Sequence, residues 1–78
     1  MQLKLNEETS LEDLFLFADF IKDRGHLVFV KLDGERSENH YSVIIGYPVN
    51  ISREIHKYEG DNLKKGFYQC IVEYFIAN

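Results

Sequence analysis

The sequence predicts an α+β domain in which an antiparallel sheet carries two helices on one face, in the order β-α-β-β-β-α. Three observations lead there. An apolar run with helical spacing follows a capping sequence near residue 10. Stretches rich in β-branched and aromatic residues, separated by turn residues, fill the middle of the chain. A polar stripe stepping by three and four marks the C-terminal segment. At 78 residues the chain reads as a single domain, 1–78, too short for a dinucleotide fold or an α/β barrel. A core of this size leaves little net stability, so association is an expected source of more.

Each element has its own signal. Met1, Leu3 and Leu5 alternate with Gln2 and Lys4, which reads as a short edge strand. Thr9 with Glu12 fits a capping box, and the acids Glu12 and Asp13 suit the positive end of a helix dipole. Gly25 suits the left-handed position after a last turn closed by Arg24, so the first helix is placed at Ser10 to Arg24. His26 to Leu32 reads as a strand. Its continuous Leu27-Val28-Phe29-Val30 run implies a central position covered on both faces. Asp33-Gly34 signals a turn, and the polar residues Glu35 to Asn39 extend it into a loop. Tyr41 to Tyr47 forms the next strand, with Tyr41, Val43, Ile45 and Tyr47 on one face and Pro48 ending it.

The segment from Val49 to Tyr58 fits either helical or strand spacing. A third antiparallel strand near Arg53 to Tyr58 is favoured because Glu59-Gly60-Asp61 then supplies a turn and an N-cap. Leu63 to Ala77 has strand-like composition, but Asn62, Lys65, Gln69 and Glu73 repeat with the period of a helix, with Asp61 as its cap. Gly66 within that helix allows close approach to the sheet.

The chemistry that the residues exclude is broad. Three histidines (His26, His40, His56) lie far apart with no H-x-H or H-x-x-x-H pair, so no metal site is expected; His26 reads as starting a strand, His40 as leaving a loop and His56 as sitting on an exposed strand face. Cys70, the only cysteine, lies in an apolar stretch and reads as a buried thiol, not a nucleophile. It rules out an intramolecular disulfide and agrees with a reducing, cytoplasmic location. No phosphate loop, paired catalytic carboxylates or cofactor motif occurs, so the chain is expected not to be an enzyme and to carry no cofactor. No signal peptide or membrane-spanning run is read in it.

The first helix carries the candidate site. At about 100° per residue, Leu11, Leu14, Phe15, Phe17, Ala18 and Ile21 occupy one broad core face. Leu16 and Phe20 point elsewhere, among Glu12, Asp13, Asp19 and Asp23. Residues 1–24 hold six acids and three bases, a balance of -3 within a total of -4. The set Glu12, Leu16, Asp19, Phe20 and Asp23 is therefore the expected partner-binding surface, with apolar anchors and acids that steer a basic protein. Five tyrosines, at 41, 47, 58, 68 and 74, add residues favoured at interfaces. The ordinary alternative is that Leu16 and Phe20 are covered by the N-terminal strand or the 33–39 loop.

Two resemblances extend this reading. In size and charge the chain is similar to small bacterial immunity proteins and phage-encoded anti-defence proteins, including anti-CRISPRs. That likeness implies an inhibitor of a larger basic, nucleic-acid-handling protein. It would act by steric and electrostatic occlusion, with Glu12, Asp19 and Asp23 standing in for phosphates and Leu16 and Phe20 as anchors. In element order over residues 11 to 76 the chain also resembles the double-stranded-RNA-binding domain, which implies that Lys64 and Lys65 contact phosphates. It departs from that family in its single lysine pair, its preceding strand and its negative charge, so nucleic acid ranks second. A local basic patch would draw on Arg53, Lys57, Lys64 and Lys65. An oligomerising subunit, a homodimer in the simplest case, is the third reading.

Overall fold

In the computed structural model, which describes residues 4–46 and 55–77, Ser10 opens helix α1 (Leu11–Asp23) by accepting the Asp13 N–H on its hydroxyl at 3.1 Å. The cap thus falls one residue later than the Thr9–Glu12 box. Thr9 is buried and ties down the approaching chain instead: its hydroxyl accepts the Asn6 N–H at 2.8 Å and donates to the Lys4 carbonyl at 2.7 Å. The helix ends as the sequence implied. Gly25 takes φ 86°, its N–H reaches the Lys22 carbonyl and the His26 N–H reaches that of Ile21, a Schellman closure.

Strands β1 (Leu27–Leu32), β2 (Tyr41–Gly46) and β3 (Ile55–Gly60) form an antiparallel meander in the order β1-β2-β3. The register pairs Val30 with Val43 and Val28 with Ile45, and continues from Val43 to Tyr58 and from Ile45 to His56. These residues face the helices. The central strand is therefore β2, and β1 is an edge, contrary to the expectation that its continuous apolar run marks a doubly covered strand. Val28 and Val30 pack on the core, but Leu27 and Phe29 on the opposite side stay exposed. An apolar run records which residues are available for burial; the second layer decides which are buried.

Helix α2 (Leu63–Ala77) lies across β2 and β3, while α1 packs on β1 and α2. Asn62, not Asp61, caps α2, its side-chain oxygen accepting the Lys65 N–H at 3.1 Å. Asp61 is instead drawn to the β1–β2 loop, where it accepts the His40 N–H at 3.0 Å. That bond, with a second from Asn39, holds its carboxyl below the usual range. The helix approaches the sheet closely at Gly66, as its sequence position suggested. A Cβ there would overlap the Tyr58 ring, and one at Gly60 would meet the Tyr58 hydroxyl. Leu14, Ile21, Val43, Ile45, Phe67, Cys70, Ile71 and Tyr74 are fully buried between the layers.

The described element order is thus α-β-β-β-α. Lys4 and Leu5 belong to no strand, and the rest of the expected N-terminal strand, residues 1–3, lies outside the described residues, as do Tyr47, Pro48 and Arg53. The Cα envelope measures 34 × 33 × 17 Å, the thin slab expected of one helical layer on one sheet.

Candidate functional site

The core stripe of α1 is narrow. Leu14, Ala18 and Ile21 are buried and Phe17 is half-buried. Leu11 and Phe15, expected in the core, are exposed, because α1 meets only β1 and α2 and its flanks overhang. Phe15 keeps one edge-on contact with Phe67, at 4.9 Å between ring centroids. On the other flank Leu16 is 40% and Phe20 52% exposed, so among the described residues neither Lys4 and Leu5 nor the 33–39 loop covers them. Glu12, Asp19 and Asp23 are exposed and, by helical spacing, run between the two apolar flanks. The five residues Glu12, Leu16, Asp19, Phe20 and Asp23 therefore share the outward side of one helix.

The electrostatics of that stripe are milder than its acid count. Lys22 lies 2.7 Å from Asp23 and 3.0 Å from Asp19, and its ammonium is held above the ordinary lysine range by Asp23 first and Asp19 second. Glu12, Asp19 and Asp23 with Lys22 make three acids against one base, a local balance of -2. Glu12 is the stripe's acid without an ion pair among the described residues.

Phe20 is anchored from one side. It stacks on Phe75 of α2 at 6.2 Å and 24°, and the Arg24 guanidinium stands 6.0 Å from its ring centroid and 5.7 Å from that of Tyr74. Tyr74 in turn meets His26 Nδ1 at 2.5 Å through its hydroxyl. Phe75 and Arg24 are the members of this site that the sequence did not disclose. Phe75 comes from a distant helix whose rotation depends on Gly66 and Tyr58, and Arg24 reads in the sequence only as the residue that closes the last turn.

The other candidates separate. Lys57 lies on the side of the sheet away from the helices, whereas Lys64 and Lys65 start α2 in the helical layer, so the expected basic patch is divided. Its remaining member, Arg53, lies outside the described residues. Lys64 and Lys65 line an open groove of about 520 Å3 with Glu7, Tyr68, Gln69 and Glu73. Neither lysine makes an ion pair among the described residues.

His56, expected on an exposed strand face, points toward the helices beside Glu73, 3.8 Å away, because it shares its side of β3 with Tyr58. Among the described residues no three His, Cys, Asp or Glu side chains are grouped to hold a metal ion. Cys70 is buried, and burial, with the nearby Glu73 charge, pushes its thiol up to about 12. Of the tyrosines, Tyr74 is buried, Tyr41, Tyr58 and Tyr68 are half-buried, and Tyr47 lies outside the described residues. Among the described residues no helix is long and apolar enough to cross a membrane.

No family model matches the chain, and no curated protein or solved structure matches it either.

Proposed function

We propose that this chain is a small protein-binding module that inhibits a larger basic, nucleic-acid-handling protein by occluding its surface. The contact is the outward side of α1, through Glu12, Leu16, Asp19, Phe20 and Asp23. The observation that carries the reading is the exposure of Leu16 and Phe20 on a helix whose core side is already supplied by Leu14, Ala18 and Ile21. Apolar anchors bordered by charge are the usual make-up of an interface centre with a polar rim. Because Lys22 pairs with both Asp19 and Asp23 and cancels one of the three negative charges, the anchors carry most of the affinity, and the residual -2 steers a cationic partner.

The test is affinity capture from the native cell with the wild type and with Leu16→Glu plus Phe20→Glu, followed by competition for nucleic acid by the captured protein. A basic protein lost in the double variant, whose far-UV spectrum is unchanged, supports the reading. Unfolding of the double variant would show that these residues hold the fold together, and the surface assignment would then fail.

A second reading, a nucleic-acid-binding domain, has one observation in its favour. Lys64 and Lys65 make no ion pair among the described residues and stand at the positive end of α2, beside a groove. Salt-dependent binding to a duplex oligonucleotide, lost in Lys64→Glu plus Lys65→Glu, would establish it. No binding at low salt would remove it.

A further inference from the structure

The helices cover one side of the sheet, and the other side has no second layer among the described residues. Register places three rows across it: Leu27, Gly46 and Ile55; Phe29, Ile44 and Lys57; Lys31, Ser42 and Glu59. The first row is apolar, with Leu27 59% and Ile55 58% exposed, and the second holds Phe29 at 44%. Gly46 leaves room that Ile55 fills, since a Cβ there would come within 3.2 Å of Ile55 Cγ2. The third row is polar, with a base on one edge strand and an acid on the other.

We propose that this open face docks a second copy of the chain, sheet against sheet, about a twofold axis parallel to β2. Such an axis keeps each row level with itself and exchanges β1 with β3. Leu27 of one protomer then faces Ile55 of its partner, and Phe29 faces Lys57, whose stem covers the ring while its ammonium approaches the ring's π-face. Lys31 faces Glu59, and Ile44 meets its own copy on the axis. The other twofold that stacks these faces, lying across the strands, would set Leu27 over Lys31 and Ile55 over Glu59. The charge pattern selects the first.

Within one protomer Lys31 pairs with Asp33 at 3.4 Å, and Glu59 with Lys57 at 3.5 Å and Arg36 at 4.0 Å. Asp33 is mostly covered, at 17%, but Lys31, Arg36, Lys57 and Glu59 are 41–53% exposed, where ion pairs are of small worth, so Lys31 and Glu59 can turn to contacts across the interface. The result is a sandwich with helices outermost, which leaves the α1 stripe accessible. The inference is independent of the function proposed for that stripe.

Sedimentation velocity from about 10 μM to about 1 mM tests it, since a face three strands wide lies at the small end of specific interfaces. The wild type should dimerise toward the upper concentrations. Lys31→Glu and Glu59→Lys, each placing like charges at both symmetric contacts, should each weaken the dimer at least tenfold. An equimolar mixture of the two should restore it, because both contacts then become attractive, and Leu16→Glu plus Phe20→Glu should leave it intact. A wild type that stays monomeric, a dimer indifferent to both reversals, single reversals whose mixture does not reassociate, or a dimer lost in the α1 variant would each overturn the proposal. All these substitutions are on exposed side chains, and far-UV spectra check that the fold persists.

Discussion

On the helix side of the sheet Val43 and Ile45 lose all contact with solvent, whereas on the opposite side Leu27, Phe29 and Ile55 keep about half of their surface. The residues are of one kind and belong to one sheet, the buried pair on β2 and the exposed three on β1 and β3. Alternation along each strand assigns a side; large apolar side chains become fully buried where α1 and α2 bring a second surface, while on the open side burial reaches only the small Ser42 and Gly46 of the central strand. The helix side also contains the interlock of the Tyr58 ring with the backbone at Gly66. The stability of the isolated chain should therefore reside almost entirely in one of the sheet's two surfaces.

The largest test of that asymmetry is Phe67→Ala. Phe67 is fully buried and takes the edge of Phe15, so its truncation should cost about 3–5 kcal/mol in urea unfolding. A loss below 1 kcal/mol would mean the helical layer is loosely seated. Next comes Gly66→Ala. The added methyl must displace the Tyr58 ring, and the overpacking, about 1–3 kcal/mol, should exceed the roughly 1 kcal/mol that alanine gains in helix propensity. A stabilised variant would show that α2 can lift from the sheet at no penalty.

The alkaline limb of stability sharpens the same contrast. The buried Cys70 thiol holds its proton to about 12, while the unfolded thiol releases it near 9.0, so the unfolded state binds fewer protons between those values. The Cys70 contribution is thus complete below pH 9 and is lost as pH rises toward 12. Wild type minus Cys70→Ala, measured across that window, should decline, and a flat difference would contradict the buried assignment. The smallest effect belongs to the open side. Phe29→Thr should change monomer stability by no more than about 0.5 kcal/mol, read at concentrations too low for association.

Much of this architecture was legible beforehand. Both helices carried it in local chemistry: Gly25 ended the first, and the Asn62, Lys65, Gln69, Glu73 stripe outweighed the strand-like composition of the second. Exact caps were not legible, because Thr9, Ser10, Asp61 and Asn62 are all competent cap residues and only the chain's path decides among them. The edge position of β1 carries no signal in its sequence. Leu27 to Val30 is apolar on both sides whether a second layer exists or not, and periodicity cannot tell coverage from its absence.

The candidate site divides in the same manner. Leu16 and Phe20 fall outside the core stripe by helical angle alone. Their exposure, the offset of Asp19 and Asp23 by Lys22, and the support of Phe20 by Phe75 depend on side-chain reach and on where α2 lies. His56 was assigned to the wrong side because its strand's phase is set by Tyr58 seating on Gly66, a tertiary fact.

Tyr58 has one further consequence, for the order in which the chain gains structure. Its ring occupies the space over Gly66, and its hydroxyl accepts the Asn62 N–H at 3.2 Å, so a single side chain fixes both the start of α2 and its distance from β3. These partners are four and eight residues away. The loop that must close is among the shortest of any tertiary contact here, and its entropy cost is correspondingly low. By contrast, the Cys70 thiol reaches the Val43 carbonyl only after the whole β2–β3 connection has been brought round. A strand and a helix joined by so short a tether have the contact order of a hairpin, which makes β3–α2 the natural seed onto which β2, then β1 and α1, assemble.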